Sequence, residues 1–88
     1  MRLVNIGFGN LVNEDRVIAI VSPDSAPVRR IIQNAKDSGR LIDVTQGRKT
    51  MSVVFTDSEH VILSYLKHEQ VTKRFEDDTE EAQNGGRQ

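Results

Sequence analysis

The chain has 88 residues, 36% of them hydrophobic and 28% charged, with no cysteine and a formal net charge of -1 at neutral pH. That length admits one small domain, which buries roughly 60–65% of its unfolded surface and gains from self-association. No apolar run approaches the roughly 18–20 residues needed to span a bilayer, no secretion signal opens the chain, and the missing thiols exclude disulfides and cysteine metal sites, so a reducing cytoplasm is the expected compartment.

The charge is uneven. From Glu76 onward five carboxylates face Arg87 alone, a net of -4, so residues 1–75 carry +3 within the total of -1. A mildly basic body with an acidic tail is compatible with an anionic partner, though +3 is well below a strongly basic nucleic-acid binder.

In chain order, Leu3–Ile6 and Leu11–Val12 are short β-prone runs on either side of a glycine-punctuated turn, Gly7-Phe8-Gly9-Asn10. The turn lacks the third glycine and the following helix of a dinucleotide fingerprint, so it reads as structural, with Phe8 as a packing residue. After a further turn at Asn13-Glu14-Asp15, Arg16–Val21 is the strongest strand signal. Its nearly continuous apolar run predicts burial on both faces of a sheet. Arg16 leads that strand, and an arginine there is functional only in the company of other cations.

Ser22–Pro27 supplies helix-start signals, with Ser22 or Ser25 as N-cap. The helix is expected to run to about Ser38 with Val28, Ile31, Ile32 and Ala35 as its buried stripe, and Gly39 as its stop. Arg29 and Arg30 read as a solvated or ion-paired face, with DNA backbone contact or a subunit interface as the functional alternatives.

Leu41–Val44 and Met51–Phe55 are predicted to pair antiparallel around a polar turn, Thr45-Gln46-Gly47, in which Gly47 takes positive φ and Arg48, Lys49 and Thr50 are displayed. This basic hairpin is the expected working surface. Thr56–Glu59 is a turn cluster, His60–Leu66 a last strand, and Glu69–Phe75 suits a short terminal helix burying Val71 and Phe75. The tail from Glu76 has almost no apolar content and is expected to be disordered.

Catalytic and metal chemistry find little support. Gly47-Arg48-Lys49-Thr50 resembles half of a phosphate-binding loop, but the first glycine is missing and a strand follows. His60 and His68 have no partner ligand at useful spacing, so no metal or cofactor is expected. Asp57, Ser58 and His60 are the residue types of a hydrolytic triad, yet neighbours in one turn are expected to point apart.

Four stretches, Val4–Asn10, Ile20–Ile32 with its SPDSAP string, Gly39–Thr50 with its DVTQGR turn, and Asp57–Ser64, together resemble the bacterial RemA family of extracellular matrix regulatory proteins. The resemblance covers roughly residues 1–66. It implies a non-enzymatic DNA-binding regulator of biofilm matrix genes with a fold similar to LytTR domains, assembled into a ring of about seven or eight identical subunits. It places the DNA-contacting cations at Arg16, Arg48 and Lys49, with lysine standing where the family usually has a second arginine and Met51 where it often has another basic residue. The rival reading is a ring-forming scaffold that has lost DNA binding.

The expected architecture is therefore an α+β domain over residues 1–75, with a mainly antiparallel sheet of about five short strands, one main helix and a short C-terminal helix. Its expected partners are double-stranded DNA and further copies of itself, with no membrane and no small-molecule substrate.

Overall fold

The computed structural model describes residues 1–76 of the chain. Six strands form two sheets. β1 (Leu3–Asn5) and β2 (Leu11–Asn13) make a small antiparallel hairpin closed by the Gly7–Asn10 turn. β3 (Val17–Val21), β4 (Leu41–Asp43), β5 (Ser52–Thr56) and β6 (Val61–Ser64) form the main sheet in the order β3-β5-β6-β4. Helix α1 (Ala26–Asp37) joins β3 to β4, and residues 68–76 form a second helix, α2. The architecture is thus α+β, with one more strand than expected.

Alternation along β5 and β6 builds a core on each face of the main sheet. Val53, Val61 and Leu63 meet Ala35 of α1, with Val28, Ile32 and Leu41 packed around them. On the other face, Val54 and Ile62 meet Ile6, Leu66 and Val71, which brings the β1–β2 hairpin and α2 onto that side. Val53, Val54 and Val71 are wholly buried, each such side chain stabilising the fold by roughly 1.5–3 kcal/mol. Phe75 packs against the same cluster, as the sequence suggested.

Local signals explain α1. The Ser25 hydroxyl caps it by accepting from the Val28 amide, Pro27 sits in the first turn, and Gly39 at φ +74 lets the Arg40 amide reach back to the Ala35 carbonyl at 2.8 Å. Of the two candidate caps, Ser25 is the one used. Ile31 departs from the predicted stripe, being 42% exposed.

The expected burial of β3 on both faces is overturned. Among the described residues β3 is an edge strand paired only with β5, and Ile18 is 70% exposed. A bulge between Val17 and Ala19 shifts the parity, so that Val17 and Ile20 both reach the core that faces Ile6. Arg16 itself lies in a short 3-10 turn, Glu14–Arg16, capped by Asn13, rather than in the strand.

The predicted hairpin is overturned as well. β4 does not pair with β5; β6 lies between them, parallel to β4 and antiparallel to β5. Every residue of β6 is buried, so its backbone groups need a strand partner along each edge, β5 on one side and β4 on the other. Residues 44–51 consequently form a crossover loop over the end of β6, between strands about 10 Å apart. The Val44 amide donates to the Leu63 carbonyl at one end, and the Met51 amide to the Ser64 carbonyl at the other.

The expected acidic tail lies outside the described residues except for Glu76, which still belongs to α2. Among the described residues, no helix is long and apolar enough to cross a membrane.

Candidate functional site

The crossover loop is ordered from within. The Asp43 carboxylate accepts from the Thr45 hydroxyl at 2.6 Å and from the Thr45 amide at 2.9 Å, an arrangement that turns the chain as it leaves β4. Thr45 is buried, and its carbonyl accepts from the Arg48 amide at 3.1 Å. Gln46 at φ +53 and Gly47 at φ +83 complete the reversal. Asparagine or glycine suits such angles best, and Gly47 takes the value expected of it.

The two bonds from Thr45, the hydroxyl first and then the amide, hold the Asp43 carboxyl below the usual carboxylate range. A lowered folded value means that this contribution is fully present above the unfolded value of about 4 and is lost as pH falls through the folded one. Asp43→Ala should therefore destabilise the protein by up to about 1 kcal/mol at neutral pH, the exposure of the carboxylate limiting the effect. Urea unfolding of both proteins should show the gap closing as the pH is taken from 5 to about 2. A gap that stays constant across that range would separate the loop from Asp43 ionisation.

Arg48 and Lys49 stand exposed on this loop, with no carboxylate against either among the described residues. The Arg48 guanidinium lies over two aromatic rings, its Cζ 5.7 Å from the Phe8 centroid and 5.6 Å from that of Tyr65. Phe8 therefore packs, as read, but on Tyr65 and half in solvent.

Arg16 is elsewhere. Its carbonyl accepts from the Asp57 amide just past the far end of β5, whereas the loop enters β5 at Ser52, five residue steps or about 17 Å away. The Arg16 Nε donates to both oxygens of Asp57, at 2.8 and 2.9 Å. These bonds, and then the charge of Asp57, raise the Arg16 pKa, so the side chain is a permanent cation already sharing a carboxylate. Arg29 and Arg30 are exposed on α1, across the sheet from the β1–β2 hairpin. A single chain thus brings Arg48 and Lys49 together and leaves Arg16, Arg29 and Arg30 apart from them.

Sequence reasoning missed two of these partnerships, Asp57 with Arg16 and the Phe8–Tyr65 pair with Arg48. It also expected the Asp57–His60 side chains to diverge. Asp57 does turn away, but the Ser58 hydroxyl lies 2.8 Å from His60 Nδ1 and 2.9 Å from the Thr56 hydroxyl, a local network that closes the β5–β6 turn. No group of three or more metal-ligating side chains is found among the described residues.

A family model described as extracellular matrix regulatory protein A-like matches residues 3–75. The chain belongs to the RemA-like family. A protein of Nostoc punctiforme is 59% identical over 75 residues, 85% of each chain. One from Nitratidesulfovibrio vulgaris is 56% identical over 80 residues, covering 91% of this chain and 93% of its own. A third, from Clostridium botulinum, is 56% identical over 81 residues, 92% of this chain and 89% of the other. All three are named as candidate regulatory proteins and not as enzymes, which supports a regulatory role for this RemA-like chain. The match ends where the acidic tail begins, so the basic loop, Arg16 and the glycine turn all fall within the RemA-like region.

Proposed function

We infer that this RemA-like protein is a DNA-binding transcriptional regulator of biofilm matrix genes, acting in the cytoplasm as a ring-shaped homo-oligomer. Duplex DNA is bound through the repeated basic loop, with Arg48 and Lys49 as the principal phosphate contacts and Arg16 as a contributor. The observation that carries this reading is the loop itself. It is pinned to β6 at both ends, stiffened by Asp43 and Thr45, and presents two cations without carboxylate partners among the described residues.

Assembly is supported by the edges of the sheet. β3 and β4 are both edge strands, and an exposed isoleucine lies on each, Ile18 on β3 and Ile42 on β4. Beside β3 runs a groove of about 310 Å³ lined by Ile18, Ile31, Phe55 and Val61 together with Arg40 and His60. Two different apolar edges on opposite sides of a small sheet suit head-to-tail contact between copies, which closes into a ring when the rotation per step permits. Repetition is also what the electrostatics demand. One chain offering Arg16, Arg48 and Lys49 neutralises about three phosphates, whereas strongly salt-dependent binding involves roughly 6–10. A ring makes each later contact intramolecular and favours DNA that bends along its rim. Such a surface reads backbone position and deformability more than base edges.

Binding of a fluorescent duplex, titrated from about 50 to 200 mM salt, tests this directly. A ring engaging several loops should give a slope of log affinity against log salt steeper than the roughly -2.7 available to three phosphates. No binding at the low end, with an intact oligomer by light scattering, would favour a ring-forming scaffold instead. The Arg16–Asp57 pair is the specific feature that favours the scaffold reading, since it has already given one of the cations a carboxylate.

A further inference from the structure

The glycine-flanked turn between β1 and β2 carries no charge to the basic loop, yet it delivers an aromatic ring. Phe8 sits between Gly7 and Gly9 at φ +54, an angle that a phenylalanine seldom adopts, and remains 41% exposed. Its ring meets that of Tyr65, which follows β6, with centroids 4.5 Å apart and planes inclined at 34°. The meeting depends on Gly7, where a Cβ would lie 2.7 Å from Tyr65 Cε1. A further bond holds the turn to the sheet: the Ser64 hydroxyl, itself accepting from the Leu66 amide at 3.1 Å, donates to the Ile6 carbonyl at 2.7 Å. A strained turn, a required glycine and a buried serine thus converge on a pair of rings, and Arg48 is the cation that lies over both.

The geometry points to Phe8 and Tyr65 as positioning residues that hold the Arg48 guanidinium against their rings, so that its N–H groups are oriented for a phosphate before DNA arrives. This rests on the DNA-binding reading of the loop. A guanidinium is planar and weakly hydrated, so it lies against aromatic rings while its in-plane donors remain available for a forked contact with phosphate oxygens. No side-chain hydrogen bond or ion pair of Arg48 competes for those donors among the described residues. An unsupported arginine at an exposed loop samples many rotamers and loses that freedom on binding. Rings that already confine it reduce the loss, and the gain recurs at every subunit of a ring. Lysine, as a compact and strongly hydrated ammonium, gains less from such a support, so Arg48 and Lys49 are not equivalent.

The test compares the full-length protein with Phe8→Leu, Tyr65→Leu and Tyr65→Phe, each combined with Arg48 or Arg48→Ala, by anisotropy titration on a duplex at low salt. Removing either ring should weaken binding by about 2- to 5-fold for each loop engaged, the range of one cation–π contact at an exposed site, with the salt slope unchanged because the same phosphates are neutralised. Tyr65→Phe keeps the ring and should bind as the parent does. In the Arg48→Ala background the ring substitutions should have no further effect. In free protein, the Arg48 Nε–H resonance should be shifted upfield by the rings in the parent and in Tyr65→Phe, and should move downfield in Phe8→Leu and Tyr65→Leu. This readout needs no DNA, and the dispersion of the backbone amide spectrum recorded with it shows that each variant is folded. An equal loss of binding from Phe8→Leu with and without Arg48 would overturn the proposal, as would unchanged or tighter binding or an absent ring-current shift. If Arg48→Ala itself leaves DNA binding intact while the shift is present, the aromatic support stands and the reading of this loop as the DNA contact fails.

Discussion

On the proposed DNA-binding reading, replacing Arg48 by alanine should remove most of the duplex affinity while leaving the fold and the proposed assembly in place. The side chain is exposed and makes no hydrogen bond in the core; only its amide, which donates to the Thr45 carbonyl, helps to shape the loop, and alanine retains that amide. Losing the contact with two rings at an exposed site costs about 0.5–1 kcal/mol of stability, too little to unfold the protein. In the proposed DNA-binding ring the effect is of another order, because the substitution would be repeated in every subunit and each copy would lose a contact that avidity multiplies. A loss of about 100-fold or more is expected at matched salt, with a shallower salt slope. Lys49→Ala should cost less, since no ring supports that side chain. Arg48→Lys should fall between the two, retaining the charge but not the planar fork. Anisotropy titration measures the affinity and light scattering the assembly. An Arg48→Ala protein that binds as tightly as the parent at the same salt would remove the loop from the function.

What the sequence revealed of this molecule was whatever local chemistry decides. Helix α1 was legible because Ser25, Pro27 and Gly39 specify its ends, and Val28, Ile32 and Ala35 its buried face, within one continuous stretch. Ile31 was misplaced because helical spacing marks a stripe without saying how wide the covered part is. The β4–β5 pairing was misread because a polar loop with a glycine between two apolar runs has the grammar of a hairpin. What decides against it is β6, whose four buried residues lie between β4 and β5 and leave β4 at the edge of the sheet. β3 was misread for the complementary reason: its apolar content suggests a central strand, and only the assembled sheet shows Ile18 at an open edge. The cations of the candidate site were visible as residues, but their company was not. Asp57 reaches Arg16 and Tyr65 reaches Arg48 across long stretches of chain, through contacts that no local pattern encodes.

Gly7→Ala should be among the most damaging single substitutions of a small residue in this chain, with a loss of about 2–4 kcal/mol of stability. Three observations set that magnitude. Gly7 is buried at φ +117, outside the range an L side chain tolerates without strain. An added Cβ would meet Tyr65 Cε1 at 2.7 Å and Cδ1 at 3.1 Å, with Leu66 Cγ at 3.7 Å. The backbone cannot easily give way, because the Gly7 amide donates to Asn5 Oδ1 at 2.7 Å and its carbonyl accepts from both the Asn10 amide at 2.9 Å and the Asn10 side chain at 2.8 Å. Gly9 and Gly47 supply the contrast. Both have positive φ, but nothing lies within 4 Å of a Cβ at either, so alanine there should cost only the backbone term of about 1–2 kcal/mol. The Tyr65 ring is the group that must move in Gly7→Ala, and that ring also supports Arg48, so DNA affinity should fall together with stability. Urea unfolding midpoints of the three alanine variants separate the two contributions. Adding Tyr65→Leu to Gly7→Ala should recover part of the stability if the collision dominates, and none if the dihedral does. A Gly7→Ala protein as stable as Gly9→Ala would show that the turn does not depend on close approach to Tyr65.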